Sequence, residues 1–151
     1  MRFEELEHIR KIRALQRLHN RINVELFKGQ LSTVSIDICN LNKGEITDAW
    51  ACYCRESDIG PESIYFSHEF IDLVAAQDTQ RKQIYFLTVV MLHEMVHQYC
   101  AHNGIDDAGH SEEWQRAAAA HGLHSVYKAG EKQGEHLTGA AELLAGMIRI
   151  R

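Results

Sequence analysis

Tyr85-Phe86-Leu87-Thr88-Val89-Val90-Met91-Leu92 runs directly into His93-Glu94-Met95-Val96-His97, and this stretch decides how the chain is organised. Apolar side chains fall on almost every side of the helix it predicts, over about residues 80 to 102, so that helix is expected to be buried all round. With about 3.6 residues per turn, His93 and His97 stack one turn apart on a common face. Two imidazole nitrogens placed so can reach one ion at about 2.0 to 2.1 Å, the distance of a zinc bond. Glu94 lies roughly 100° round the helix. There it falls outside the coordination sphere but within reach of a water on the ion, the HExxH arrangement of zinc peptidases. Buried histidines and a buried glutamate are costly unless paired or bound, and no lysine or arginine lies between Lys82 and Arg116 to pair Glu94 locally. The stretch therefore predicts a zinc ion on His93 and His97, with Glu94 as general base.

A catalytic zinc takes three protein ligands and leaves the fourth position to water. His110 is the preferred third ligand. It sits in Asp106-Asp107-Ala108-Gly109-His110-Ser111, a turn-rich segment between two helical stretches, where the chain can reverse and come back over the first helix. Cys100, one turn beyond His97, is an alternative, although such a cysteine is more often core. Glu112 and Glu113 are alternatives too, although the positive end of a following helix already accounts for acids there. Cys100 and Asn103 stand where the metzincin pattern needs glycine and histidine, which excludes that class. Asp106 or Asp107 is a candidate to orient a metal-bound imidazole, and Tyr127 or His124 to donate to an oxyanion.

His93-Glu94-Met95-Val96-His97 followed by Gly109-His110-Ser111-Glu112-Glu113-Trp114 resembles the SprT-like zinc metalloprotease domain family. Asn23-Val24-Glu25-Leu26-Phe27-Lys28-Gly29-Gln30-Leu31 is similar to that family's first helix end and turn, so the likeness spans roughly residues 10 to 124. Ser111 replaces the family's usual glycine, Trp114 its phenylalanine and Ser32 its proline; none of these removes a ligand. Cys39, Cys52, Cys54 and Cys100 contain no C-x-x-C pair, so the family's frequent second, structural zinc is not expected. The resemblance implies a zincin-like fold, one zinc per chain, hydrolysis of peptide bonds, and a sheet edge along the cleft to which a peptide can add as a strand. It also implies, for some members, action on proteins attached to DNA.

The rest of the chain predicts an α+β domain: an N-terminal helix, a small three-stranded antiparallel sheet, the metal-binding helix and a following helix. The peptidase domain is placed at residues 1–128, with a linker and a short C-terminal helix of unassigned role at 129–151. Ile9, Ile12, Leu15, Leu18, Ile22 and Leu26 give the first helix one apolar stripe. Val34 to Ile38, Ala49 to Cys54 after the turn Asn42-Lys43-Gly44, and Ser63 to Ser67 read as strands. Short helices are expected near Glu69 to Ala76, from Glu112 to His121 after an N-cap at Ser111, and from Ala140 to Ile148.

A net charge of −5 argues against coating nucleic acid by bulk electrostatics. Arg10, Lys11, Arg13, Arg17 and Arg21 follow one another without an intervening acid and form a candidate phosphate-contacting face. Glu4, Glu5 and Glu7 occupy the place of a signal sequence's apolar run, so a cytoplasmic location is expected. The alternative to a peptidase is a non-catalytic, zinc-stabilised adaptor for DNA or a protein partner. Zinc-dependent hydrolysis of a non-peptide amide is a weaker one.

Overall fold

The computed structural model describes residues 2–41, 50–58 and 60–149. A short 3-10 turn at Phe3–Glu5 leads into α1 (His8–Leu26), whose apolar stripe buries Leu15, Leu18 and Ile22. Lys28 and Gly29 both take left-handed backbone, with φ of 55° and 73°, and end the helix in a tight turn. Asn23 locks that turn, its side chain donating to the Leu31 carbonyl at 2.8 Å and accepting from the Leu31 N–H at 3.0 Å.

Three strands follow: β1 (Ser35–Cys39), β2 (Ala51–Cys54) and β3 (Ser63–Ser67). The expected turn at Asn42-Lys43-Gly44 and the expected strand start at Ala49 lie outside the described residues. The sheet has the order β1-β3-β2, which corrects the antiparallel expectation: β2 pairs antiparallel with β3, but β1 runs parallel to it. The return from β2 inserts β3 in the middle, pointing the same way as β1. That central position explains why β3 is buried on both faces while β1 alternates between exposed and buried residues.

The remaining elements are α2 (His68–Ala75), α3 (Gln80–His102), α4 (Glu112–Ala120), β4 (Leu123–Lys128), β5 (Glu131–Leu137) and α5 (Gly139–Met147). Ser67, Thr79 and Ser111 cap α2, α3 and α4 by accepting from the backbone N–H three residues on. α3 is the centre of the molecule. It packs against α1, α2, α4, α5 and strands of both sheets, and Met91, Leu92, Met95 and Val96 are wholly buried. Among the described residues no helix is long and apolar enough to cross a membrane.

The segment expected as a linker over 129–136 is instead most of β5, paired antiparallel with β4. Ala129 and Gly130, with φ of 53° and 78°, make the two-residue turn between the strands, the left-handed pattern that suits hairpin twist. Five of the seven β5 residues are exposed, and a register shift at Gln133, between the pairs Val126–Gly134 and Tyr127–Lys132, breaks the pairing, so no apolar alternation announces the strand. Gly122 ends α4 where a side chain cannot fit: a Cβ there would lie 2.5 Å from the Cβ of Ala141 on α5.

Candidate metal centre

α3 presents His93 and His97 one turn apart, as their spacing requires, and the turn after it returns His110 over them. Gly109 and His110 are both left-handed, with φ of 61° and 53°. The His110 conformation costs about 1–3 kcal/mol in a non-glycine residue and is of the kind held at functional sites. The three imidazoles converge: His110 Nε2 is 3.0 Å from His93 Nε2 and 3.3 Å from His97 Nε2.

Each helical histidine is held from behind. His93 Nδ1–H donates to Glu135 at 2.7 Å and His97 Nδ1–H donates to Asp107 at 2.8 Å. These carboxylates assign the ring protons to Nδ1 and leave each Nε2 lone pair facing the common point. Burial, assisted by the neighbouring His93 and His97, pushes His110 down to about 4, so its imidazole is neutral at pH 7. Lone pairs gathered this closely repel one another unless a cation lies among them, and the residues fit a metal: His93, His97 and His110 offer three ligand atoms within 4.8 Å of one another.

Trp114 on α4 floors the site, its ring centroid 4.7 Å from those of His93 and His110 and 5.1 Å from that of His97. It is fully buried, and its Nε1–H has no acceptor among the described residues. Tyr127 on β4 stacks flat on His110 at 4.1 Å. Glu135, with a side chain 7% exposed, also accepts from Ser125 at 2.6 Å. Burial alone would raise its carboxyl, but the hydrogen bond and charge of His93 and the bond from Ser125 outweigh burial and hold it low. For His93 the balance runs the other way: burial lowers it, while Glu135 and Glu94 prevail and raise it.

Glu94 is 7% exposed and accepts a hydrogen bond from the Tyr53 backbone N–H at 3.0 Å, while its other oxygen lies 4.0 Å from His93 Nε2. These groups line a cleft of about 740 Å³, walled on one side by Trp50, Ala51, Tyr53 and Arg55 and on the other by Tyr127 and Lys132.

His93, Glu94, His97 and His110 therefore come together, and Asp107 takes the orienting place expected of it. The alternatives lie elsewhere. Cys100 is sealed in the core; Glu112 and Glu113 are exposed on α4, with Glu113 3.5 Å from Arg116. His124 lies against His136 across the hairpin with the rings tilted by 30°, both exposed. Arg10, Arg13, Arg17 and Arg21 are exposed on α1, Lys11 is partly covered, and none of the five lines the cleft. Arg21 lies 3.7 Å from Glu25. Sequence reading missed Glu135, whose only local signature is a charged run, and Tyr53, whose contribution is its main chain and carries no residue signature.

Comparison with curated proteins and comparison with solved structures found no match. The model of the SprT-like family matches residues 15–132, from α1 through the histidine-bearing segments to the start of β5. That is well over half of the chain, which belongs to the SprT-like family, whose domains are of the zincin-like metalloprotease type.

Proposed function

We propose that this chain is a zinc-dependent metalloendopeptidase that cleaves protein substrates in a zincin-like arrangement, with His93, His97 and His110 holding one zinc ion and Glu94 as general base. The observation that carries the reading is the convergence of three imidazole Nε2 atoms beside a carboxylate with one oxygen held by the Tyr53 N–H and the other 4.0 Å from His93 Nε2. When bound, the ion supplies a Lewis acid that polarises a carbonyl and brings the pKa of water towards about 7.

The chain's own residues do the rest. Glu94 keeps one oxygen on the Tyr53 N–H; the other takes a proton from the attacking water and returns it to the leaving amine nitrogen. Tyr127 lines the cleft against His110 and offers its hydroxyl to the developing oxyanion. Burial, with Glu135 and Glu94 nearby, pushes that phenol up, so it keeps its proton at neutral pH and can donate. β2 is an edge strand. The Trp50 carbonyl accepts from Ser67 on the β3 side at 2.9 Å, so the alternate residues Ala51 and Tyr53 direct their backbone groups away from β3. With the Tyr53 N–H held by Glu94, an extended peptide can pair with the Ala51 N–H and carbonyl and the Tyr53 carbonyl, largely without regard to its side chains.

The test is cleavage of an unfolded protein by zinc-loaded protein, with and without a chelator, beside Glu94→Gln. Cleavage by wild type alone, abolished by the chelator, is expected. Equal cleavage by Glu94→Gln removes Glu94 as the base, and bound zinc without cleavage in wild type favours the adaptor.

A further inference from the structure

We infer that Tyr53 and Glu62 form a positioning pair that holds Glu94 in place, an assignment that rests on the peptidase reading above. Tyr53 is fixed at both ends. Its N–H donates to Glu94 and its phenol donates to Glu62 Oε2 at 2.5 Å. Glu62, with a side chain 12% exposed, is a hub. Its Oε2 also accepts from His102 at 2.6 Å, and its Oε1 accepts from Ser32 at 2.5 Å and Gln98 at 3.0 Å. Gln98 in turn bonds His19 on α1 at 2.9 Å.

The connections close a ring. Glu94, Gln98 and His102 follow one another at helical spacing on a single face of α3. From Glu94 the path runs to the Tyr53 backbone on β2, along the Tyr53 side chain to Glu62, and back to α3 through Gln98 and His102. Since all four β2 residues are only half buried, packing alone fixes this edge strand weakly. The ring sets its separation from α3, and with it the place of the one N–H that holds the base.

A buried carboxylate is costly unless it is hydrogen-bonded, and the four bonds to Glu62 meet that cost. Apolar packing could seal the same gap without a charge, whereas the hydrogen-bonded ring also specifies where the Tyr53 phenol, and so its N–H, must lie. A shift of about 1 Å in a reacting group can cost about 100-fold in rate, so an effect on turnover follows from so short a path.

The experiment compares Tyr53→Phe, Glu62→Ala, Glu62→Gln and the Tyr53→Phe/Glu62→Ala double variant with wild type. It reads zinc content, kcat and KM on an unfolded-protein substrate, and the amide shift of residue 53 in 1H–15N spectra. An amide donating to a carboxylate resonates downfield, and Glu94→Ala locates that contribution. Expected are full zinc content, kcat lowered ~10- to 100-fold with KM little changed, and an upfield move of the residue 53 amide. Glu62→Gln should recover part of both losses, and the double variant should lose little more than Glu62→Ala alone. An unmoved amide, an unchanged kcat, or a change in KM alone overturns the assignment. If Glu62→Ala does not fold, Tyr53→Phe, which lacks one hydroxyl, decides by the same readings. If zinc-loaded wild type cleaves nothing, the peptidase reading fails, while the amide shift still decides whether the pair holds Glu94.

Discussion

On the hairpin side of the cleft, side chains reach the metal-facing histidines: Glu135 bonds His93 and Tyr127 lies flat on His110. On the strand side a main-chain N–H, that of Tyr53, reaches Glu94, the proposed base. The hairpin side fixes imidazoles whose place decides whether an ion stays. The strand side fixes a carboxylate that an ion does not need, and it leaves a backbone edge for a peptide. Metal retention is thus assigned to the hairpin wall and the placement of Glu94 to the strand wall, so damage to the strand wall should lower turnover and spare the ion.

The largest separation is expected at Glu94 itself. Glu94→Gln should keep one zinc per chain and lose about 100- to 10,000-fold in kcat, the usual contribution of a general base; elemental analysis and turnover on one preparation check it. Loss of zinc together with activity would mean that the two walls are not separable.

Next in size is Glu135→Ala, which removes the carboxylate behind His93. Zinc affinity, measured by competition with a chromophoric chelator, should fall about 10- to 100-fold. Glu62→Ala on the opposite wall should leave affinity unchanged. Equal affinity in Glu135→Ala and wild type would show that the hairpin only covers the site.

A smaller effect is expected in acid. Burial alone would raise the Glu62 carboxyl, but hydrogen bonds from Ser32, Tyr53 and His102 outweigh it and hold the group below its usual range. A carboxyl with a lower pKa folded than unfolded contributes stability that is complete above the unfolded value, about 4.3. That contribution is lost as pH falls through the folded value. The advantage of wild type over Glu62→Gln in urea midpoint should therefore shrink below about pH 4.3; an advantage of the same size at pH 7 and pH 3 contradicts this.

The smallest effect is expected beneath both walls, at Trp114. Trp114→Phe leaves a cavity but removes an N–H that is buried without an acceptor among the described residues, a burden of about 1–3 kcal/mol. The two terms oppose, and the thermal midpoint should move little. A large drop would mean that the indole N–H has a partner in solution.

What the sequence made legible was local. The buried character of α3 and the shared face of His93 and His97 follow from helical spacing, and both bounds of that helix fall close to their expected places. His110 was legible because turn residues surround it, and Asp107 because it lies in the same turn. The parallel pairing of β1 with β3 joins strands that β2 separates in sequence, and no residue in either strand encodes it. Glu135 lies 42 residues from His93 in sequence, on a strand that carries no apolar alternation. Glu62 gathers partners from 9 to 40 residues away, which chain spacing cannot reveal.

The most direct test of the central claim is X-ray absorption at the zinc edge of the zinc-loaded protein. Three imidazole nitrogens at about 2.0 to 2.1 Å with one further non-imidazole oxygen are predicted, the open centre that hydrolysis requires. A sulfur ligand near 2.3 Å, or a fourth imidazole closing the site, would contradict it.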